Sequence, residues 1–218
     1  LLLELAVKKL GGFPQVLSTV SDDKIKIRAQ IRKGLKADLF LISGGVSVGK
    51  YDFVREALVQ EGVKEIFWKV DIKPGKPLYF GKKKKTLVFG LPGNPVSVFV
   101  TFEEFVKPVI ASLAGRAGLN LPYHPREIRG SAFAKGDNPS RYASVDWVQG
   151  TLTKEFCNGP RLHFVRVSSI PTKKGHAVTP LQGQGSHMVG SLAQANAILR
   201  VEPNAVLKKG QSVLVKLI

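Results

Sequence analysis

Cysteine is nearly missing from this sequence: Cys157 is the single one among 218 residues. A disulfide framework is therefore excluded, and zinc-finger spacing is absent. Methionine is as scarce, with Met188 alone, and the chain begins at Leu1, so a fragment or a processed chain is expected. No apolar run approaches the roughly 18 residues that a membrane-crossing helix needs. Leu1–Leu10 is apolar but short, and it carries Glu4, Lys8 and Lys9, which reads as a helix remnant and not as an anchor. The four histidines (His124, His163, His176 and His187) are scattered without metal-ligand spacing, which argues against a zinc site or a His-based nucleophile. Ser47 has no evident base to complete a Ser-His-Asp set. A soluble, reducing, cytoplasmic setting is expected, with no membrane partner.

Acid is the other shortage. Sixteen Asp and Glu stand against 33 Lys and Arg, a net charge of +17. The excess is spread evenly, +9 over residues 1–117 and +8 over residues 118–218, so it is no basic tail. Such a charge attracts nucleic acid or anionic membranes, steers a small polyanionic substrate, or simply solvates the surface. Interleaved aromatics and a known nucleic-acid module are lacking, so a nucleic-acid partner is not expected. The densest run, Lys82–Lys85, lies between Tyr79-Phe80-Gly81 and Thr86-Leu87-Val88-Phe89, the pattern of a hairpin turn with solvated lysines.

Apolar residues make up 44% of the chain, enough to build cores and to exclude global disorder. The first half alternates helix-like and strand-like segments. Leu1–Leu10 has helical period and stops at Gly11-Gly12, and Phe13–Val20 reads as a strand. Ser21-Asp22-Asp23 has N-cap chemistry for a helix over 24–35. Asp38–Ser43 is a buried-strand run, 51–61 an amphipathic helix, 65–70 and 86–89 further strands, and 95–113 a long apolar helix. This alternation predicts βαβ units and a mainly parallel sheet. After a proline-bracketed linker at 120–125 the texture changes to short β-type runs at 127–133, 142–152, 163–170, 177–181, 197–201 and 212–218. One helical stretch, 186–195, interrupts them. The expected fold is α/β: a mainly parallel three-layer domain over 1–117, followed by a small all-β barrel or sandwich over 118–218.

Two glycine-rich turns stand out. Ser43-Gly44-Gly45-Val46-Ser47-Val48-Gly49 joins an apolar strand to a helix, and Phe89-Gly90-Leu91-Pro92-Gly93-Asn94-Pro95 does the same, with Ser97 in the first helical turn. Glycines let backbone approach a ligand closely, and free N–H groups at a helix start favour anions. Two such turns on the carboxyl edge of one sheet would converge on one crevice. Neither is a Walker loop or a GxGxxG turn. Between them lies Trp68-Lys69-Val70-Asp71-Ile72-Lys73-Pro74-Gly75-Lys76-Pro77, where prolines and glycine would stiffen the chain and hold Lys69, Lys73 and Lys76 as fixed cations. Asp52, shortly after Gly49, and Asp22, at another strand-to-helix junction, suit either helix caps or carboxylates for Mg2+. Arg161 and Arg166 bracket Phe164 and read as ordinary surface residues or as anion ligands.

The motifs SGGVSVGKYDF, FWKVDIKPGKP and FGLPGNPVSVFVTFEEFVKP, in this order and spacing, resemble the molybdopterin molybdenumtransferase family, which includes the C-terminal domain of gephyrin. The resemblance covers roughly 1–115 and continues through 125–218, where Arg161-Leu162-His163-Phe164-Val165-Arg166 and GQGSHMVGSLAQANA look like the family's segments. It implies a molybdopterin-binding domain and a C-terminal β-domain. The implied reaction joins molybdate to adenylylated molybdopterin with Mg2+ and releases AMP, in a homodimer of the full-length chain. Asp22 and Asp52 would stand on the metal side, and Lys69, Lys73 and Lys76 in the basic site with Asp52 as catalytic groups. Ser43, Gly44, Gly45, Ser47, Gly49, Pro92, Gly93, Asn94, Ser97, Arg161 and Ser186 would hold substrate. Lys50 stands where the family usually has Glu or Asp. The family's Thr-Gly-Asp-Glu strand and two N-terminal domains are expected upstream of Leu1. A catalytically incomplete pterin-binding or scaffold module of the same fold is the alternative.

Overall fold

The computed structural model describes residues 2–21, 23–45, 53–115 and 147–218. Its contacts divide into two compact units, one formed by Leu1–Val70 with Gly75–Ala117 and the other by Asp71–Pro74 with Gly118–Ile218. Among the described residues no helix is long and apolar enough to cross a membrane.

In the first unit, helix α1 (Leu2–Lys9) buries none of its residues. It ends where Gly11 and Gly12 donate back to Lys8 O and Val7 O, with Gly11 at φ 77°, a left-handed stop. Helix α2 (Lys24–Gly34) starts at Asp23, whose side chain accepts from the Ile25 and Lys26 N–H groups. Ile27 and Ile31, one turn apart, form its buried stripe. Gly34 is small for a reason: a Cβ there would lie 2.3 Å from the Phe40 ring, so the ring of the next strand packs directly on the helix main chain. That strand, β1 (Leu39–Ser43), precedes helix α3 (Phe53–Gln60), which buries Ala57 and Leu58.

The sheet of this unit is completed by β2 (Lys64–Trp68), β4 (Tyr79–Lys83) and β5 (Thr86–Leu91), in the order β1-β5-β4-β2. β1 and β5 run parallel, whereas β4 is antiparallel to both β5 and β2. The α/β reading holds, but the described sheet is mixed and not mainly parallel. Its cause is the short hairpin at Lys84-Lys85, which pairs Lys83 with Thr86 and uses Lys84 at φ 51°; a two-residue connection can only return the chain antiparallel. Ile27, Ile31, Ala57, Leu58, Val63, Tyr79 and Val88 form one apolar cluster that clamps α2 and α3 to the sheet. Each such side chain contributes roughly 1.5–3 kcal/mol by leaving water. From β5 the chain enters α4 (Pro95–Thr101), passes one π-helical turn (Phe102–Val106) and continues as α5 (Lys107–Leu113).

Phe13–Val20, expected as a strand, forms none. Phe13 is 99% and Val16 72% exposed, and Pro14 cannot donate to a ladder; the alternation of the run finds no sheet to face.

The second unit contains β3 (Ile72–Lys73), β6 (Trp147–Leu152), β7 (Phe156–Cys157), β8 (Leu162–Thr172), β9 (Gly175–Pro180), α6 (Val189–Gln194), β10 (Ala197–Val201), β11 (Val206–Leu207) and β12 (Ser212–Leu217). The order β10-β12-β6-β9-β8, with β10 pairing back onto β8, closes a five-stranded barrel. Closure removes the free edges that a sandwich would leave. Val165, Val167, Val178, Ala197, Leu199, Val201, Val213 and Val215 fill its interior. Asp71–Pro74, which the sequence reading left in the first domain, groups here because β3 pairs in parallel with the start of β8, Lys73 opposite His163. The other small ladder, β7 with β11, is too short to leave a periodic signal.

Candidate functional site

The first unit brings the two glycine-rich turns side by side. Because β1 and β5 are parallel neighbours in register from Leu39↔Leu87 to Ser43↔Leu91, their carboxyl ends finish at the same level. The Gly44 N–H then donates to Leu91 O at 3.1 Å, and the Ser43 hydroxyl reaches Pro92 O at 3.5 Å. Gly44 and Gly45 adopt φ 83° and 69°, left-handed conformations that Gly enters without steric cost. A Cβ on Gly93 would stand 3.7 Å from the Gly44 Cα, and one on Gly45 would lie 2.6 Å from Val54 Cγ2. Two backbone turns thus touch with no side chain between them. Asn94 caps α4, its Oδ1 accepting from the Val96 N–H at 3.2 Å, and Pro95 occupies the first turn. Ser97 is buried in that turn. Ser43, Gly44, Gly45, Pro92, Gly93, Asn94 and Ser97 therefore form one carboxyl-edge cluster, the place where open α/β sheets bind ligands. Ser47, Gly49 and Asp52 of the first turn, and Asp22, lie outside the described residues.

Lys69 follows β2 at φ 69°, a conformation that costs a non-glycine residue roughly 1–3 kcal/mol and is concentrated at functional positions. Its N–H donates to Leu78 O, and the N–H groups of Val70 and Leu78 both donate to Lys76 O, so the 69–70 and 76–78 main chains are bonded to each other. The Lys69 ammonium stands 3.9 Å from the Trp68 ring centroid, and the Arg55 guanidinium stands 4.2 Å from it. Arg55 is itself held by both carboxylate oxygens of Glu65, at 2.6 and 2.9 Å. Trp68 lies in the FWKVDIKPGKP motif but is assigned no role there, and Arg55 lies outside every motif; the adjacency of Trp68 to Lys69 is the signal the sequence offers.

In the second unit Arg161 donates to Ile72 O at 3.2 Å, the residue before Lys73, so this arginine and Lys73 share the β3–β8 ladder. Lys69, Lys73 and Lys76 are all exposed, and none makes an ion pair with a described residue. His163 is 2% exposed. Its Nδ1 faces Asn158 Oδ1 at 3.2 Å, while Nε2 is buried without a partner among the described residues. Burial first, and then the charges of Lys73, Arg166 and Arg161, push its pKa down to about 4, so it is a neutral packing group at neutral pH. Among the described residues no three His, Cys, Asp or Glu gather as a metal site.

Arg166 departs furthest from the surface reading. It is fully buried. Its Nε donates to Ser191 Oγ at 2.8 Å, and its Nη2 donates to Gly183 O and Gly185 O at 2.9 and 3.2 Å. Ser186 follows directly on that loop and is half-buried.

Residues 2–112 match a family model described as a probable molybdopterin binding domain, and residues 149–218 match the MoeA C-terminal region, domain IV. The chain is 48% identical over 176 residues to a molybdopterin molybdenumtransferase of Haemophilus influenzae, covering 80% of this chain and 38% of that protein. It is 31% identical over 191 residues to one of Bacillus subtilis, covering 87% of this chain and 39% of the relative. The chain thus spans about two-fifths of the length of these relatives. A molybdenum cofactor biosynthesis protein from Pyrococcus furiosus superposes with TM-score 0.69 at 26% identity, over 100% of this chain and 63% of that structure.

Proposed function

Because the chain belongs to the molybdopterin-binding domain family, we propose that the protein carrying it is a molybdopterin molybdenumtransferase, joining molybdate to adenylylated molybdopterin and releasing AMP. The observation that carries the proposal is the contact of the Gly44-Gly45 and Pro92-Gly93 turns at the carboxyl edge of β1 and β5. The glycines Gly44, Gly45 and Gly93 let phosphate and pterin approach the main chain closely, and the buried start of α4 adds its dipole. Substrates and products are all anionic. In this reading Lys69, Lys73, Lys76 and Arg161 offset their charge, and Ser97 and Ser186 supply hydroxyls to the oxyanion. Among the described residues every ion pair with Glu56, Glu61, Glu65 or Glu202 goes to another base, which supports a role for these lysines toward an incoming anion.

The reading includes Mg2+, held by Asp22 and Asp52. Two carboxylates suit a hard divalent ion that keeps several waters, and the ion would neutralise charge at the phosphoanhydride when bound. A homodimer and a cytoplasmic setting belong to the same reading. Titrating the chain with molybdate and with AMP tests the site: Lys73→Ala and Lys76→Ala are each expected to weaken binding about tenfold, the size of one lost charge-assisted contact. Unchanged affinity in both variants overturns the assignment of the lysines. Absence of AMP release from adenylylated molybdopterin in the protein carrying this chain would favour the scaffold alternative.

A further inference from the structure

We propose that Arg166 is a positioning residue for anion binding, fixing the Gly183–Ser186 loop so that the Ser186 hydroxyl is presented in one place. The inference rests on the role given to Ser186 above. Its ground is a buried cation with no carboxylate partner among the described residues. Burying an unpaired guanidinium is expensive, and an apolar side chain of similar volume would pack the outside of β8 at lower cost. What the guanidinium does instead is hold carbonyls. Gly183 O and Gly185 O, on either side of Gln184, both accept from Nη2, and Ser191 Oγ accepts from Nε. Ser191 then donates onward, its hydroxyl lying 2.8 Å from both Gly183 O and Met188 O.

The backbone of the same arginine completes the clamp. Gln184 Oε1 accepts from the Arg166 N–H at 3.0 Å, and Gln184 Nε2 donates to Arg166 O at 2.9 Å and to Leu181 O at 2.8 Å. The loop is further held by the Ser191 bonds and by a turn in which the Met188 N–H donates to Gly185 O at 3.1 Å, while Gly183 sits at φ 75° and no strand pairing covers residues 181–188. One residue of β8 therefore fixes a glycine-rich loop from both its main chain and its side chain. Arg166 acts through Ser186 and touches no reacting atom.

The test compares kcat and the molybdate KM of the wild-type protein carrying this chain with Arg166→Gln, Arg166→Lys, Ser186→Ala and the Arg166→Gln/Ser186→Ala pair. Arg166→Gln is expected to raise the molybdate KM about tenfold with kcat changed less than about twofold, and Arg166→Lys to raise it less. In the Ser186→Ala background the arginine change is expected to add less than about twofold, because both act on one contact. An unchanged KM in Arg166→Gln, or an undiminished effect in the double variant, overturns the proposal. A wild-type KM in Ser186→Ala instead overturns the role given to Ser186. Hydrogen exchange of the 183–189 amides then decides the clamp by itself: exchange at least about tenfold faster in Arg166→Gln, with the barrel strands unchanged, supports it, and unchanged exchange overturns it. If Arg166→Gln does not fold, Arg166→Lys, which keeps the charge and loses the guanidinium fork, takes the same measurements.

Discussion

Burial redefines individual residues here. His163 is one of four histidines with no sequence signal, yet it is enclosed at one end of the barrel core with its pKa pushed down to about 4. An unfolded chain binds a proton near the ordinary value of 6.5, so between those values the unfolded state holds more protons than the folded one. Stability from this group is complete above pH 6.5 and declines as pH falls toward 4. Over that span the loss is about 3 kcal/mol, at about 1.4 kcal/mol per pH unit. Urea unfolding at pH 7 and pH 5 should show about 2 kcal/mol of this loss in the wild type. It should be missing in His163→Gln, which keeps a donor for Asn158 but gains no proton; parallel pH profiles would count against it. Arg161 and Arg166 make the complementary point. They are five positions apart and look alike in sequence, but one reaches Ile72 O from a half-buried place and the other is sealed under a loop.

Among the elements, the glycine-rich turns carry the most information. Their sequence already placed them after apolar strands and before helices, and Asn94-Pro95 announced the start of α4. Helices over 24–35 and 95–113 were readable from caps and apolar period, as were the strands that became β1, β5, β8, β10 and β12. Phe13–Val20 was misread because alternation alone does not supply a neighbouring strand. The two glycines of the first turn are predicted to differ. Gly44→Ala meets open space and carries only the left-handed penalty, about 1 kcal/mol. Gly45→Ala carries that penalty and also drives a methyl to 2.6 Å from Val54 Cγ2, for a total of about 2–4 kcal/mol. Denaturant midpoints that rank the two variants the other way would refute this account.

On the scale of the whole molecule, two cores hold one chain. Leu58 is fully buried in the core of the α/β unit and Leu199 2% exposed in that of the barrel. Leu58→Ala and Leu199→Ala should each cost about 2–5 kcal/mol. In calorimetry each should lower one transition and leave the other in place, since two cores need not unfold as a single cooperative step. A single transition that moves equally in both variants would show that the units unfold together. The net charge of +17 also acquires structure at this scale. Arg28, Arg32, Arg55 and Arg200 are committed to carboxylates, whereas Lys69, Lys73 and Lys76 pair with none among the described residues.

The class of each half, the two glycine-rich turns, the lysine segment between them and the family are all written in local order: apolar period, glycine and proline punctuation, and motif spacing. Folding added the rest: the first sheet is mixed, Asp71–Pro74 groups with the barrel, Lys69 stands over Trp68, and Arg166 is buried beneath the 183–185 loop. Those outcomes depend on which distant segments become neighbours, and strand pairing and desolvation act between residues that the sequence keeps far apart.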